Sequence, residues 1–397
     1  MFLPLRPRVL LLIPHLGGGG AEQVIALLAR NLSHEKYELH LGLVTQSDAG
    51  SVVMPSRVQI HALGARRVRD GAFKLLRLIH KIRPDVILSG MFHLNFLVLL
   101  LRPFFSPSTR ILVRQNGTVS AALASGNLPV YTRLLYRLLY RHADRVICQS
   151  NAMAKDIVGQ LGIREERLAV LLNPVDIEAI RASAKNNPAP GNESQSNAAE
   201  SGTSGPHLLA VGRLSREKGF DLLLSALVTV RKRFPLANLT IAGSGPEEAG
   251  LKAQCRDLGL EAAVYFAGHI DHPSAYFRGA STFVLSSRHE GLPNALLEAA
   301  ACGLPIVALP ASGGVSDLLR DRPGAWLASE ISCPALAASL LAALEVLEPG
   351  ERFPHPFIEE FRIDRAIHAY ENLIDSILLD TKTGAKIPHA NLKEYRQ

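Results

Sequence analysis

The sequence predicts an α/β protein with two domains, each built on a doubly wound parallel sheet. At 397 residues the chain is longer than one hydrophobic core usually serves. Apolar strand-like runs alternate with helical segments in both halves, as in parallel sheets whose crossovers are helices. The polar, Pro-, Gly- and Ser-rich stretch 182–206 predicts a flexible linker. We therefore expect domains at 1–181 and 207–355, a helix at 356–380 and a polar tail at 381–397.

The first domain begins with a strand, a glycine loop and a helix. Strand-like runs occupy 8–14, 37–44, 85–89, 110–114 and 145–149. Glycines 17–20 precede a helix predicted at 21–31, and free amides at such a helix start can bind an anion. The alternative is that the glycines form a plain flexible turn. They do not form a dinucleotide fingerprint, because no acid follows at the end of the second strand.

Polar side chains follow two strands of this half. His93 and Asn95 come after the third run, and Arg114 and Asn116 come at or after the end of the fourth. Open α/β sheets bind ligands at the carboxyl ends of their strands, so these residues are candidates for substrate contact. His93 has a second interpretation, as a helix cap or a hydrogen-bonded core histidine.

The second domain repeats the alternation, with strands predicted at 207–212, 238–242, 263–267, 281–285 and 305–309. Gly243 and Gly245 follow the second of these strands. Glu248 stands where a third glycine would be needed, so an NAD fingerprint is excluded.

The stretch from Ser286 to Gly303 places Glu290 and Glu298 around a predicted helix start. Pro293 suits the first helical position, the helix runs to Cys302, and Gly303 ends it. Glu298 then lies about 7.5 Å along the axis, beyond first-turn amides that suit a phosphate. Two carboxylates flanking a phosphate site match a nucleotide sugar. The alternative is a surface glutamate and an unrelated loop charge.

Two cations after another strand strengthen this hypothesis. Arg213 and Lys218 follow the run at 207–212, and a planar fork with a point charge suits a diphosphate. Together with the segment 243–247, the two glutamates and the Gly-Gly-Ala-Glu run at 19–22, these residues resemble the retaining glycosyltransferases of family 4. The resemblance spans roughly residues 8–375 and is most specific in the second half.

The resemblance implies the GT-B fold, in which two Rossmann-like domains face a cleft and the final helix crosses back to the first domain. It implies a catalytic set of Glu290, Arg213, Lys218 and His93, and an acceptor side of His93, Asn95, Arg114 and Asn116. The implied donor contacts are Gly19, Gly20, Arg213, Lys218, Gly243, Gly245, His269, Ile270, Glu290, Gly291, Leu292, Asn294, Ala295 and Glu298. For His269 a structural turn is an equal alternative.

Function follows from the same resemblance. We expect retaining transfer of a sugar from a nucleoside diphosphate donor to a glycan or lipid-linked acceptor. No Asp-x-Asp motif or histidine cluster appears, so no metal and no cofactor are expected. The Glu-Gly-Leu-Pro-Asn form at 290–294 is similar to members that build lipid-linked or surface polysaccharides. The alternatives are a nucleotide-sugar epimerase of the same fold and a catalytically silent binding protein.

Charge is distributed unevenly along the chain. Residues 1–180 contain 22 Lys and Arg against 12 Asp and Glu, whereas the remainder contains 21 against 24. Within the basic half, residues 129–141 predict a helix with Tyr131, Leu134, Leu135, Leu138 and Leu139 on one face and a stripe of arginines beside it. That face could lie on an anionic membrane or pack against the sheet.

Several other partners and locations are disfavoured. The basic half lacks an aromatic stacking motif or recognition-helix pattern, so nucleic acid is not expected. No 18-residue charge-free apolar run exists, and the apolar start is interrupted by Pro14, which indicates a strand rather than a signal peptide. We expect a cytoplasmic protein, peripheral at the inner face of the membrane. The four scattered cysteines indicate reduced core residues.

Overall fold

The computed structural model describes residues 6–17, 19–45, 54–124, 131–186, 205–270 and 273–383. The chain divides into two compact units. Unit 1 comprises Met1–Pro174 together with Ile363–Gln397, and unit 2 comprises Val175–Arg362. Among the described residues, no helix combines the length and apolarity needed to cross a bilayer.

Unit 1 is built on a seven-stranded sheet with the order β3-β2-β1-β4-β5-β6-β7. All of its strand pairs are parallel. The strands are β1 (Arg8–Ile13), β2 (Glu38–Thr45), β3 (Gln59–Ala65), β4 (Val86–Ser89), β5 (Arg110–Arg114), β6 (Arg145–Cys148) and β7 (Leu168–Val170). The five predicted strands are confirmed. Strands β3 and β7 were not predicted, because β3 is an exposed edge strand with polar positions and β7 has only three residues.

Helices cover both faces of this sheet. They are α1 (Gly20–Asn31), α2 (Ala72–Ile82), α3 (Phe92–Leu101), α4 (Val119–Ala124), α5 (Thr132–Tyr140), α6 (Asn151–Leu161) and the C-terminal helix (Ile363–Thr383). Alternate residues of β1 enter two separate cores: Leu10 and Leu12 face α2 and α3, whereas Leu11 and Ile13 face α1 and the C-terminal helix. A sheet buried on both faces explains why the central strands are continuous apolar runs.

Polar contacts attach the C-terminal helix to unit 1. Glu371 accepts hydrogen bonds from the Ser33 amide at 2.8 Å and from the Lys36 ammonium at 2.7 Å. Tyr37 donates its hydroxyl proton to Asp375. Residues more than 330 positions apart thereby belong to one compact unit.

Unit 2 contains a six-stranded parallel sheet with the order β10-β9-β8-β11-β12-β13. Its strands are β8 (His207–Val211), β9 (Asn238–Ala242), β10 (Val264–Gly268), β11 (Thr282–Leu285), β12 (Ile306–Ala308) and β13 (Ala325–Leu327). Its helices are α7 (Ile177–Asn186), α8 (Phe220–Arg233), α9 (Glu248–Asp257), α10 (Ser274–Phe277), α11 (Asn294–Ala301), α12 (Val315–Leu319) and α13 (Cys333–Val346). The short strand β13 was not predicted. Two parallel Rossmann-like sheets confirm the predicted fold class.

The unit boundaries differ from those predicted at 181 and 206. Helix α7 begins at Ile177, belongs to unit 2 and extends into the predicted linker 182–206. Arg181 holds it there by donating to the carbonyl of Ala301 at 2.9 Å. The rest of the predicted linker, 187–204, lies outside the described residues.

The C-terminal region also differs in detail. The predicted helix 356–380 is divided into a 3-10 helix, Pro356–Phe361, in unit 2 and the C-terminal helix in unit 1. That helix continues to Thr383, past the predicted start of the tail at 381, and residues 384–397 are outside the described part. Of the four cysteines, Cys148 and Cys255 are buried and the other two are half-buried.

Candidate functional site

Two loops that leave adjacent strands of unit 2 pack against each other. Leu214, after β8, donates its amide to the carbonyl of Ser244, after β9, at 2.9 Å. A Cβ on Gly243 would lie 1.9 Å from the oxygen of Gly212, and one on Gly245 would lie 2.4 Å from the oxygen of Leu214. Packing between the loops therefore requires both glycines, whatever contact they make with a ligand.

Two predicted site residues, Lys218 and Glu290, meet beyond the carboxyl ends of the adjacent central strands β8 and β11. Oxygen Oε1 of Glu290 accepts from Lys218 Nζ at 2.6 Å and from Ser287 Oγ at 2.6 Å. The Glu290 side chain is 8% exposed and that of Lys218 is 24% exposed. A nearly buried carboxylate held by two donors has a defined position, as a catalytic charge requires.

Backbone contacts join the loops that carry these two residues. Ser286 donates its hydroxyl to the carbonyl of Lys218 at 2.8 Å. Gly219 has φ of +64°, and a Cβ there would lie 2.0 Å from the Ser286 oxygen. Any side chain at Gly219 would therefore push the two loops apart.

A bidentate ion pair holds the same loops together on the outside. Arg288 donates to both oxygens of Asp221, at 2.7 and 2.6 Å. Desolvation, the largest single effect, raises the pKa of Asp221, but the hydrogen bond and charge of Arg288 together with backbone hydrogen bonds lower it further, so the pKa lies below its usual range. The sequence analysis missed Ser287, Asp221 and Arg288 as supports. Ser287 and Arg288 lie in the same stretch as Glu290, and that proximity was the available signal.

Helix α11 begins one residue later than predicted. Pro293 is its N-cap, with extended dihedral angles of −76° and 113°, so Asn294 is the first helical residue. The helix ends at Ala301, one residue before the predicted Cys302, and Gly303 follows with φ of +71°. A further support was missed in the sequence: a Cβ on Gly313 would lie 2.3 Å from the carbonyl oxygen of Glu290.

Glu298 is the fifth residue of α11 and is half-buried. Burial raises the pKa of its carboxyl to about 7. No cation forms an ion pair with it in the part of the chain that the structure describes. A desolvated carboxylate without a counterion is favourable where a ligand supplies hydrogen-bond donors, such as sugar hydroxyls.

The other predicted donor contacts lie at the same ends of the strands. Arg213 is exposed directly after β8, and His269 and Ile270 follow β10, the first exposed and the second half-buried. Gly291 is buried, whereas Leu292, Asn294 and Ala295 are half-buried around the start of α11. The structure thus brings the unit 2 residues together at one edge of its sheet, and their contact with a donor stays a prediction.

The glycine loop of unit 1 differs from a simple anion site. Gly19 is the N-cap of α1 and Gly20 its first residue, while Gly18 is outside the described residues. The buried side chain of Glu22 lies against Gly19, because a Cβ at Gly19 would be 2.3 Å from Oε2 of Glu22. A carboxylate already occupies this helix start, so hydroxyl donors suit it better than a second anion.

His93 is the second residue of α3 and is half-buried. Burial lowers its pKa, and the charge of His15 lowers it further. The imidazole is therefore neutral near pH 7. Its nitrogens remain able to donate or accept a hydrogen bond with a substrate hydroxyl.

Asn95 does not have the predicted acceptor-side position. It is fully buried and donates to the carbonyl of Arg114 at 3.0 Å and to the hydroxyl of Tyr140 at 3.1 Å. Its neighbours thus exclude an external ligand. Asn95 stabilises the end of β5 through its hydrogen bond to Arg114 and is not exposed to a substrate.

Arg114 is also more deeply placed than predicted. Its side chain is 2% exposed, and it donates to Tyr370 at 3.3 Å and to the side chains of Asn116 and Asn173. No carboxylate pairs with it among the described residues. Direct contact of its guanidinium with an acceptor is incompatible with this burial. Asn116 beside it is half-buried, and its contact with an acceptor stays a prediction.

Metal ligands are not clustered in the described ranges: no group of three or more His, Cys, Asp or Glu there could hold an ion. The assigned residues at the carboxyl ends of the unit 2 strands offer two cations, two carboxylates, hydroxyls and helix amides.

Two family models match most of the chain between them. The model described as Glycosyltransferase Family 4 matches residues 18–179, and the model described as Glycosyl transferases group 1 matches residues 192–353. The chain therefore carries a glycosyltransferase family 4 domain followed by a glycosyl transferases group 1 domain. This glycosyltransferase also shares its fold with solved GT-B structures. HepE from Anabaena in complex with UDP-glucose superposes with a TM-score of 0.74 over 93% of this chain and 99% of that one, at 17% identity.

Two curated relatives have names that describe glycosyltransferases. N-acetylgalactosamine-N,N'-diacetylbacillosaminyl-diphospho-undecaprenol 4-alpha-N-acetylgalactosaminyltransferase of Campylobacter jejuni is 27% identical over 318 residues, which cover 77% of this chain and 81% of that protein. The amylovoran biosynthesis glycosyltransferase AmsD of Erwinia amylovora is 23% identical over 311 residues, which cover 76% and 80%.

Proposed function

We propose that this glycosyltransferase moves a sugar, with retention of configuration and without a metal, from a nucleoside diphosphate to a glycan or lipid-linked acceptor. Unit 2 binds the donor and unit 1 binds the acceptor. The observation that carries the proposal is the pairing of Lys218 with Glu290 beside the start of α11. It places a cation for phosphate next to a fixed carboxylate for the transferred sugar.

The donor is held by complementary charge along α11. Arg213, exposed and without a described ion pair, and Lys218 neutralise the diphosphate, and the first-turn amides of α11 add a partial positive charge. Glu298 accepts hydrogen bonds from the ribose hydroxyls, which compensates the desolvation of its carboxyl. UDP is the first nucleotide to test, because HepE binds UDP-glucose on the same fold.

Retention follows from using the leaving group as the base. The bond from the anomeric carbon to the phosphate oxygen breaks and its electron pair stays on the phosphate. The acceptor oxygen bonds to the same face of that carbon, and its proton passes to the departing phosphate oxygen. Arg213 and Lys218 stabilise the charge that develops on the diphosphate, and Glu290 stabilises the positive anomeric centre, so catalysis is mostly positioning and electrostatics.

The acceptor and the location are inferred from relatives and from charge. The name of the Campylobacter jejuni relative includes a diphospho-undecaprenol acceptor, which is a lipid. The basic first half of this chain suits such a phosphorylated acceptor or an anionic surface. We place the protein in the cytoplasm, peripheral at the inner face of the membrane.

Calorimetry with UDP tests the donor site. Arg213→Ala and Lys218→Ala are each expected to weaken UDP binding by about 1.5–3 kcal/mol, the usual cost of a lost charged hydrogen bond. Arg216→Ala is the matched control, because Arg216 is an exposed arginine in the same loop and is expected to keep wild-type affinity. Unchanged UDP affinity in both test variants would show that Arg213 and Lys218 do not bind the diphosphate.

Product analysis tests the reaction itself. Incubation with a sugar nucleotide and a membrane extract is expected to form a glycoside whose anomeric configuration, measured by NMR, equals that of the donor. Inverted product would contradict the proposed mechanism. Formation of an epimeric sugar nucleotide, or donor binding without any turnover, would favour the epimerase or the silent binding protein.

A further inference from the structure

A groove of about 500 Å³ opens on unit 1, and none of the residues assigned to the donor lines it. It lies between the end of α3, the 3-10 helix Arg102–Phe104 and the end of α5. We call it the α3–α5 groove, and it is lined by Leu99, Leu100, Arg102, Pro103, Phe105, Ser106, Pro107, Leu139 and His142. Its walls are mainly apolar, with one guanidinium and one imidazole.

Exposed apolar side chains surround this groove. Leu100 is 62% exposed and Phe104 is 60% exposed, and on α5 Leu134 and Leu138 are 57% and 40% exposed. Scattered exposed leucines are ordinary, but several on adjoining elements around one groove indicate a surface that binds something apolar.

Helix α5 decides between the two interpretations of its leucines. The residues it buries fully are Thr132, Tyr136 and Tyr140. Of the predicted leucine face, Leu139 packs partly against the core, whereas Leu134 and Leu138 are exposed. Tyr136 packs edge-on against Phe96 of α3, with ring centroids 4.7 Å apart. The sheet side is therefore occupied by tyrosines, and Leu134 and Leu138 face outward. Residues 129 and 130 of the predicted helix lie outside the described residues.

Positive charge borders the apolar surface. Arg133, Arg137 and Arg141 are all exposed on or directly after α5. Burial lowers the pKa of His142, and the charges of Arg141, Arg102 and Arg167 lower it further, which reports a positive potential at the rim of the groove. Asp144 neutralises part of it by pairing with Arg102 at 2.9 Å. An anionic group next to an apolar chain is the complement of this surface.

We propose that the α3–α5 groove binds one acyl chain of an anionic membrane phospholipid, with the lipid phosphate among the arginines of α5. The volume lies within the range of small-ligand pockets. Burial of methylene groups supplies the affinity, and the arginines select for negative charge. This site is separate from the donor site of unit 2, so either assignment can fail without the other.

The test is titration with monomeric dihexanoyl phosphatidylglycerol below its micelle concentration, followed by the change in protein melting temperature. Saturable binding is expected. Ser106→Phe fills the groove and is expected to weaken it at least about tenfold, equivalent to ~1.4 kcal/mol. Ser108→Phe is the matched control, because the two hydroxyls share one hydrogen bond of 2.8 Å but only Ser106 lines the groove. The control is expected to bind as the wild type does.

Three outcomes would overturn the proposal. Equal affinity of the two phenylalanine variants for dihexanoyl phosphatidylglycerol would show that the groove binds no acyl chain. Equal binding of glycerophosphoglycerol, which has the headgroup without chains, would reduce the surface to a basic patch. Equal binding of dihexanoyl phosphatidylcholine would remove the selection for anionic lipid. UDP affinity is expected to be unchanged in both variants, which confirms that they fold and separates this test from the donor site.

Discussion

Glu290→Gln is expected to lower kcat by about 10²- to 10³-fold while UDP affinity stays within about twofold of wild type. The carboxylate lies against the transferred sugar in our proposal, where positive charge develops only as the bond to phosphate breaks. The amide keeps the shape of the side chain but removes the charge, so the loss falls on the transition state. Steady-state kinetics beside calorimetry with UDP measure the two effects separately.

Ser287→Ala provides the comparison for this variant. It removes one of the two donors to Oε1 of Glu290 but keeps the charge and the contact with Lys218. We expect a loss in kcat of about tenfold to hundredfold, since one hydrogen bond to a charged group contributes about 1.5–3 kcal/mol. If Glu290→Gln instead weakened UDP binding with normal turnover, Glu290 would face the nucleotide and the donor would lie in the opposite orientation.

Glu298→Gln is expected to weaken donor binding and, at alkaline pH, to stabilise the fold. Loss of the ribose contact should raise the donor KM about tenfold or more with a smaller effect on kcat. The variant should also be more stable than wild type at pH 8. Melting temperature measured from pH 4 to pH 9, with kinetics at pH 8, checks both expectations.

The pH dependence follows from the position of Glu298. Burial raises the folded-state pKa to about 7, from an unperturbed value of 4.5. The carboxyl therefore costs nothing below pH 4.5, where it is protonated in both states, and destabilises the fold progressively as pH rises towards and through 7. The full cost is about 3 kcal/mol above pH 8. Glutamine carries no charge at any pH, so the advantage of the variant should appear only as pH rises.

The control is Glu348→Gln, at an exposed glutamate of unit 2. It should show no pH-dependent gain in melting temperature. An equal gain in both variants would mean that the effect is general repulsion rather than burial of Glu298. A gain in stability with unchanged KM would leave Glu298 as a buried carboxyl without a role in donor binding.

Local patterns were sufficient to predict much of the fold and to select the residues of the proposed donor site. Apolar runs bounded by glycines located the central strands, and the spacing of Glu290 and Glu298 placed one acid in a loop and the other on a helix. Both signals depend on neighbours within about a dozen residues, which is the range over which backbone period and turn chemistry act. Short or edge strands such as β3 and β13 carry too few buried positions for the same reasoning.

The leucines of α5 show where periodicity stops being informative. Its sequence has two faces that are apolar enough to be buried, one of leucines and one of tyrosines. The tyrosines are buried because Phe96 of α3 and the polar groups around Gln115 and Asn95 provide both a ring contact and hydroxyl partners. A helical wheel contains no information about that partner surface.

The sequence by itself determined the class of fold, the order of the strands along the chain and the residue types of the proposed donor site. The tertiary structure alone decided which of them meet: Lys218 with Glu290, 72 positions apart, and Arg114 with Tyr370, 256 positions apart. It also decided that Arg114 and Asn95 are buried and that Glu298 is desolvated. Burial and charge pairing depend on what the remote parts of the chain bring to a side chain, and no local pattern records that.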